Sequence, residues 1–304
     1  MHPSLSSLGI HTLLHSQRVI MVLSTSVSSP FAILLFGVAQ CVLGHPLASR
    51  AVDCDRAVLA ETADAYIAAQ EAGDVSLLEG VVADGWEYEE NNKKKDPGQG
   101  VLSKALTIDH RRTNFDLVAC ATYTEVIVSD PANPYVIGTQ IRHGDDGRVT
   151  LIDTIASTTN SWLFDAKKTL EYVLQENWDP IPEDKRDERD VIQAAGDAYL
   201  DMWSNATASE AVPWGTPCVR LEGSAYTGKG SPDDSCKPGI PSNSSQAPNT
   251  RRRYVIDDAM GSVSIFCVWE HMMMAADSHE FRLEGGKLRY VHTMTECGGQ
   301  RCTL

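Results

Sequence analysis

Basic residues are scarce in this chain of 304 residues: 26 Lys and Arg stand against 41 Asp and Glu, a net charge of −15. A surface this acidic repels phosphate backbones and anionic headgroups, so nucleic acid and anionic membranes are poor partners. The one basic cluster, Arg251-Arg252-Arg253, reads as the solvated start of a strand. The sequence also lacks a Gly-x-Ser-x-Gly nucleophile elbow, a phosphate loop and a dinucleotide fingerprint. Serine hydrolases of that design and nucleotide-dependent enzymes are therefore disfavoured, and no motif asks for a cofactor. Long apolar runs are missing too. The apolar stretch at residues 31–39 falls well short of the roughly 20 residues that a helix needs to cross a bilayer.

That stretch reads instead as the apolar centre of a secretory signal. Arg18 is the only charge before it, and Val42-Leu43-Gly44 offers a cleavage site before His45. A signal peptide is expected over 1–44; Met21 is an alternative start that would forgo Arg18. Secretion implies an oxidising compartment. Of the eight cysteines, Cys41 lies in the signal, which leaves an odd number in the mature chain. Most should pair, with at least one left free or intermolecular. Spacing does not fix connectivity. The pairs we expect are Cys54–Cys120, tying the first helix to its sheet, and Cys218–Cys236, closing a loop. Cys297 and Cys302 are not spaced like a zinc pair, and secretion favours a disulfide for them. The sequons Asn205-Ala206-Thr207 and Asn243-Ser244-Ser245 lie in polar stretches that suit glycans.

The chain repeats itself. Arg142-His143-Gly144-Asp145-Asp146-Gly147-Arg148-Val149 reads strand, acidic-Gly turn, basic residue, strand, and so does Arg282-Leu283-Glu284-Gly285-Gly286-Lys287-Leu288. Upstream, Ala63-Asp64-Ala65-Tyr66-Ile67 matches Gly196-Asp197-Ala198-Tyr199-Leu200. A long-period repeat means two copies of one architecture. In the first copy, Asp55 is placed to cap a helix running to Ala72, and Gly73 to end it. A second short helix is expected over 75–82. Strands follow at Trp86-Glu87-Tyr88-Glu89 and over 118–128, 135–142 and 148–156. Residues 179–187, rich in proline and charge, form a linker. The pattern restarts with a helix over 190–203 and strands over 219–222, 252–257, 262–271, 278–283 and 287–295, Met272-Met273-Met274 continuing one of them. Residues 223–250, rich in Ser, Gly and Pro, are an insertion that reads either as a lid over a pocket or as a surface loop.

Helices followed by antiparallel strands are an α+β pattern. The first-helix residues Ala63–Ile67 and the hairpin Phe281-Arg282-Leu283-Glu284-Gly285-Gly286-Lys287-Leu288 resemble the SnoaL-like (polyketide-cyclase) branch of the nuclear-transport-factor-two-like superfamily. Over 54–295 the chain also resembles fungal secreted proteins of unknown function that carry two such units. The resemblance implies two tandem cone-like units, each with helices on a curved antiparallel sheet around a pocket. Their bounds would be 45–178 and 188–304. The superfamily includes isomerases, cyclases, dehydratases and non-catalytic binding proteins, so fold alone does not choose among them.

In a strand, alternate residues share a face. Val149, Leu151, Asp153 and Ile155 form one apolar face with a single ionisable residue. Leu288, Tyr290, His292 and Met294 form its counterpart. If these faces line the two cones, Asp153 sits in one pocket and His292 in the other, where an apolar setting tunes a titratable group for acid–base work. Tyr66 and Tyr199 sit at matching helix positions, and Tyr199 and Asp257 are the expected helpers of His292. Glu270, His271, His279 and Glu280 cluster in the second copy, but Leu283 stands where a zinc-protease helix needs its second His, so no metal is expected. Two readings follow. One is a cofactor-independent isomerase, cyclase or dehydratase of a small apolar metabolite; the other is a non-catalytic secreted ligand-binding or host-interaction protein.

Overall fold

The computed structural model describes residues 54–303 apart from 206 and 241–244. The expected signal, Met21 and Asn243 lie outside the described residues.

The Asp55 carboxylate accepts the Val58 N–H and starts α1 (Arg56–Ala72), which buries Leu59, Tyr66 and Ile67. Gly73 closes the helix in the left-handed region at φ 63 and donates to the Ala69 carbonyl. A Cβ at Gly73 would stand 2.4 Å from the Ala105 nitrogen, so the turn requires glycine. The short helix expected next is a single 3-10 turn, Val75–Leu78. Six strands follow: β1 (Val82–Glu90), β2 (Lys93–Lys94), β3 (His110–Asp116), β4 (Ala121–Val128), β5 (Tyr135–His143) and β6 (Val149–Ser157). They form one sheet in the order β2-β1-β6-β5-β4-β3. β1 runs parallel to β6, and the other neighbours are antiparallel.

After α2 (Ala166–Val173) the chain repeats this plan. α3 (Arg189–Asp201) and the single turn α4 (Ala208–Ala211) precede β7 (Trp214–Glu222), β8 (Ala225–Tyr226), β9 (Asn249–Asp257), β10 (Ser262–Trp269), β11 (Ala275–Glu284) and β12 (Lys287–Glu296). The order β8-β7-β12-β11-β10-β9 copies the first sheet strand for strand, again with one parallel pair, β7 with β12. Met272–Met274 do not continue a strand. They turn between β10 and β11, with Met273 and Met274 left-handed and exposed and Met272 buried.

Both sheets belong to one compact unit, Ser49–Leu304, and they face each other. Tyr123, Ile127 and Ile155 of the first sheet pack with Val255, Phe266 and Met294 of the second. On its other face the first sheet meets Tyr66 and Ile67 of α1. The second meets Tyr199 and Leu200 of α3 in the same way. The linker is strapped down rather than loose: Ile181 N–H donates to the Ala259 carbonyl at 2.7 Å, and Arg282 donates to the Asp179 carbonyl at 2.8 Å.

Cys54–Cys120 and Cys218–Cys236 are disulfides, as is Cys297–Cys302. The remaining described cysteine, Cys267, is free and buried. Among the described residues no helix is long and apolar enough to cross a membrane.

Candidate functional site

A bulge decides where the candidate residues point. The register of β12 slips between Leu288 and Tyr290, and that of β6 slips between Val149 and Leu151. The slip breaks the alternation read from the sequence. Leu288 and Val291 join the core under α3. Tyr290, His292 and Met294 face the other way, into the seam between the sheets. In the first sheet Val149 and Ile152 pack with α1, while Asp153 and Ile155 face the seam. The expected pocket positions of Asp153 and His292 are therefore corrected: neither lies on the face of its sheet that α1 or α3 covers.

The seam holds a buried ionic network. His292 Nδ1 lies 3.1 Å from Glu125 Oε2, and Nε2 lies 2.6 Å from Glu176 Oε2. Arg112 donates to both oxygens of Glu280, at 2.5 and 2.7 Å, and to Glu125 at 3.2 Å. The Trp178 ring stacks over the Arg112 guanidinium at 3.6 Å and meets His292 edge-on at 5.2 Å. Burial alone would lower the His292 pKa. The Glu176 and Glu125 carboxylates reverse that and raise it to about 10. Burial likewise opposes the charge on Glu125, but His292 and Arg112 outweigh it and hold the carboxyl well below its usual range. His292 is thus an imidazolium clamped between two carboxylates, unable to accept a proton at neutral pH.

The other expected residues are dispersed. Asp153 pairs with Arg253 across the seam at 2.5 Å; burial raises its pKa, and Arg253 works against that. Asp257 accepts from Arg56 at 2.9 Å and from the Phe115 N–H at 2.8 Å, which makes it an inter-sheet tie rather than a partner of His292. Tyr199 is fully buried under α3, its ring centroid 5.6 Å from that of His279, and burial pushes its phenol up. The four do not converge on one site.

Two cavities gather polar groups beside these residues. One is a cleft of ≈ 300 Å³ between the insertion and β12, lined by Glu176, Val219, Tyr226, Asp234, Arg289 and Tyr290 among others. Glu176 Oε2 is held by His292 and by Trp178 Nε1 at 2.8 Å, while its Oε1 and Arg289 Nη1 are buried without a partner. Burial, reinforced by the Glu176 charge, pushes the Tyr226 phenol up, so it stays a proton donor. The second is a small cavity of ≈ 10 Å³ on the helix side of the second sheet, lined in part by Asn249, Asp277, His279 and Thr293.

Residues 185–295, which contain α3 and nearly all of the second sheet, match a family described as "Domain of unknown function (DUF8021)". No curated protein matches the chain.

The matched segment carries Tyr226, Arg289, Asp277 and His279, but Glu176 lies upstream of it. Sequence reasoning passed over Glu176 because it follows α2 in a polar stretch with no periodic signal. Only the packing of Trp178 onto Arg112 and Tyr290 brings it to His292. His279 was legible as part of a cluster. Its pairing with Asp277 required knowing that the odd-numbered residues of β11 face α3.

Proposed function

We infer that this chain is a secreted small-molecule-binding protein whose ligand occupies the cleft between the insertion and β12. The observation that carries the reading is the pair of buried, unpartnered polar atoms at that cleft, Glu176 Oε1 and Arg289 Nη1. Leaving such groups unpaired costs about 1–3 kcal/mol each, a cost that a bound ligand removes. The volume suits a small metabolite. Its apolar body would lie against Val219, Tyr226 and Tyr290, with a hydroxyl donating to Glu176 and a carbonyl or carboxylate accepting from Arg289. The ligand is thus less apolar than the sequence suggested. In the catalytic version, an isomerase, cyclase or dehydratase, Glu176 is the base and Tyr226 the acid, with His292 holding Glu176 in place. The clamped state of His292 favours the non-catalytic version, since that group cannot cycle a proton near neutrality.

The architecture supports reading 45–178 and 188–304 as two fused cone-like units, with their sheets packed as a substitute for a dimer. The disulfides and the apolar N-terminal stretch support secretion, and the exposed Asn205 supports glycosylation. Mass spectrometry of the native protein tests the central reading: a small molecule should accompany it and should be lost in Glu176→Gln and Arg289→Ala. If none is carried, and no hydroxylated or acidic metabolite raises the melting temperature, the reading fails. Saturable turnover that is abolished by Glu176→Gln would select the catalytic version.

A further inference from the structure

Three buried side chains converge on the helix side of the second sheet. Cys267 of β10 and Asp277 of β11 are direct cross-strand partners, and His279, two residues on, shares their face. Sulfur, carboxylate oxygen and imidazole nitrogen all lie within 4.8 Å of one another. We propose that Cys267, Asp277 and His279 are the protein ligands of a zinc-class divalent cation.

Spacing is the first argument. Asp277 Oδ2 lies 3.6 Å from Cys267 Sγ and 3.0 Å from His279 Nδ1. Tetrahedral zinc, with bonds of about 2.0–2.3 Å, sets its ligand atoms roughly 3.3–3.8 Å apart, so small side-chain shifts suffice. Orientation is the second. Although His279 Nδ1 is within hydrogen-bond distance of the Asp277 carboxylate, it is buried with no hydrogen-bond partner. A ring nitrogen and an oxygen this close, yet not aligned for a shared proton, suit two ligands sharing a cation.

Charge is the third argument. Among the described residues no Lys or Arg forms an ion pair with Asp277, whose carboxylate meets Thr295, Cys267 and His279. A buried carboxylate without a cation is costly. A divalent ion bound to the carboxylate, a thiolate and a neutral imidazole leaves the site neutral, with the thiol proton released to solvent. The adjoining cavity of ≈ 10 Å³ has room for about one water. Asn249 Oδ1 and Thr293 Oγ1 line it, buried and unpartnered, and would hold that water as the fourth ligand. The seam cluster of Glu125, Glu280 and His292 also has ligand-like spacing, but Arg112 already supplies its cation. The cation site does not depend on the ligand cleft.

The test is elemental analysis of the protein as purified, followed by unfolding without reductant, stripping with a chelator and refolding with Co²⁺ or Zn²⁺. One equivalent should bind, and the Co²⁺ protein should show a thiolate-to-cobalt charge-transfer band. Cys267→Ser should lose that band, and His279→Ala should weaken Zn²⁺ binding by at least ~100-fold. His271→Ala, at an exposed histidine, should change neither. A wild-type protein that takes up no metal, or a cobalt spectrum without a thiolate band, overturns the proposal whether or not the variants fold. So does full Zn²⁺ affinity in folded Cys267→Ser and His279→Ala.

Discussion

His292 Nε2 lies 2.6 Å from Glu176 Oε2, and this contact ties the last strand of the second sheet to the chain leaving α2. The opposite ring nitrogen reaches Glu125 of the first sheet. One imidazolium therefore links three separate parts of the fold. Its raised pKa makes it a stabilising charge instead of a proton carrier.

Stability should depend on pH through this residue. His292 titrates at about 10 when folded, against 6.5 as a free side chain. Its contribution is complete below 6.5 and is lost as the pH climbs towards 10. The urea midpoint should therefore fall between pH 7 and pH 10, and His292→Gln should flatten that fall. Glu125 acts with the opposite sign: its depressed carboxyl contributes above its unfolded pKa and loses that contribution as acid protonates it. A flat wild-type profile above pH 7 would contradict the clamp.

Arg112 should be the most sensitive charge in the seam. Arg112→Ala leaves Glu280 and Glu125 buried without their cation, which should cost about 3–5 kcal/mol. The exposed Lys94–Glu87 pair gives the contrast, since Lys94→Ala should change stability by less than about 1 kcal/mol. Equilibrium denaturation of the two variants measures the difference.

Gly73 and Gly80 offer a second contrast. Gly73 is left-handed, and a Cβ there would run into the backbone of Ala105; at Gly80 a Cβ meets nothing within 4 Å. Gly73→Ala should destabilise by more than about 1 kcal/mol, whereas Gly80→Ala should lie within about 0.5 kcal/mol of wild type. Thermal melts of both variants should keep this order.

The disulfides should rank by the loops they close. Sequence separations of 66, 18 and 5 residues correspond to loop-entropy contributions of about 4, 3 and 2 kcal/mol. Replacing the cysteines pairwise with serine should destabilise in that order. Non-reducing peptide mapping should recover the same three pairs.

Much of the fold was readable in the sequence. Asp55 and Gly73 marked the ends of α1 because capping and left-handed turns are local chemistry. The duplicated Arg142 and Arg282 hairpins marked the repeat, and the two sheets share one strand order. Faces were harder to read. β4 is buried along its whole length, with a helix-side core on one face and the partner sheet on the other, so its alternation carries no sign of which neighbour lies where. The same ambiguity, compounded by the bulge near Leu288, hid the direction of His292.

The sequence by itself determined the repeat, the acidic balance of charge and most of the element order, since these depend on composition and near neighbours; the disulfide pairings were expectations that the structure had to place. Only the tertiary structure decided that His292 and Asp153 lie in the seam, that Glu176 joins His292, and that Cys267, Asp277 and His279 meet. Each of those depends on which surface a strand presents and what packs against it. Residues like Glu125 and Glu176 lie far from His292 in the chain, and only the packing of two sheets brings their charges within hydrogen-bond reach.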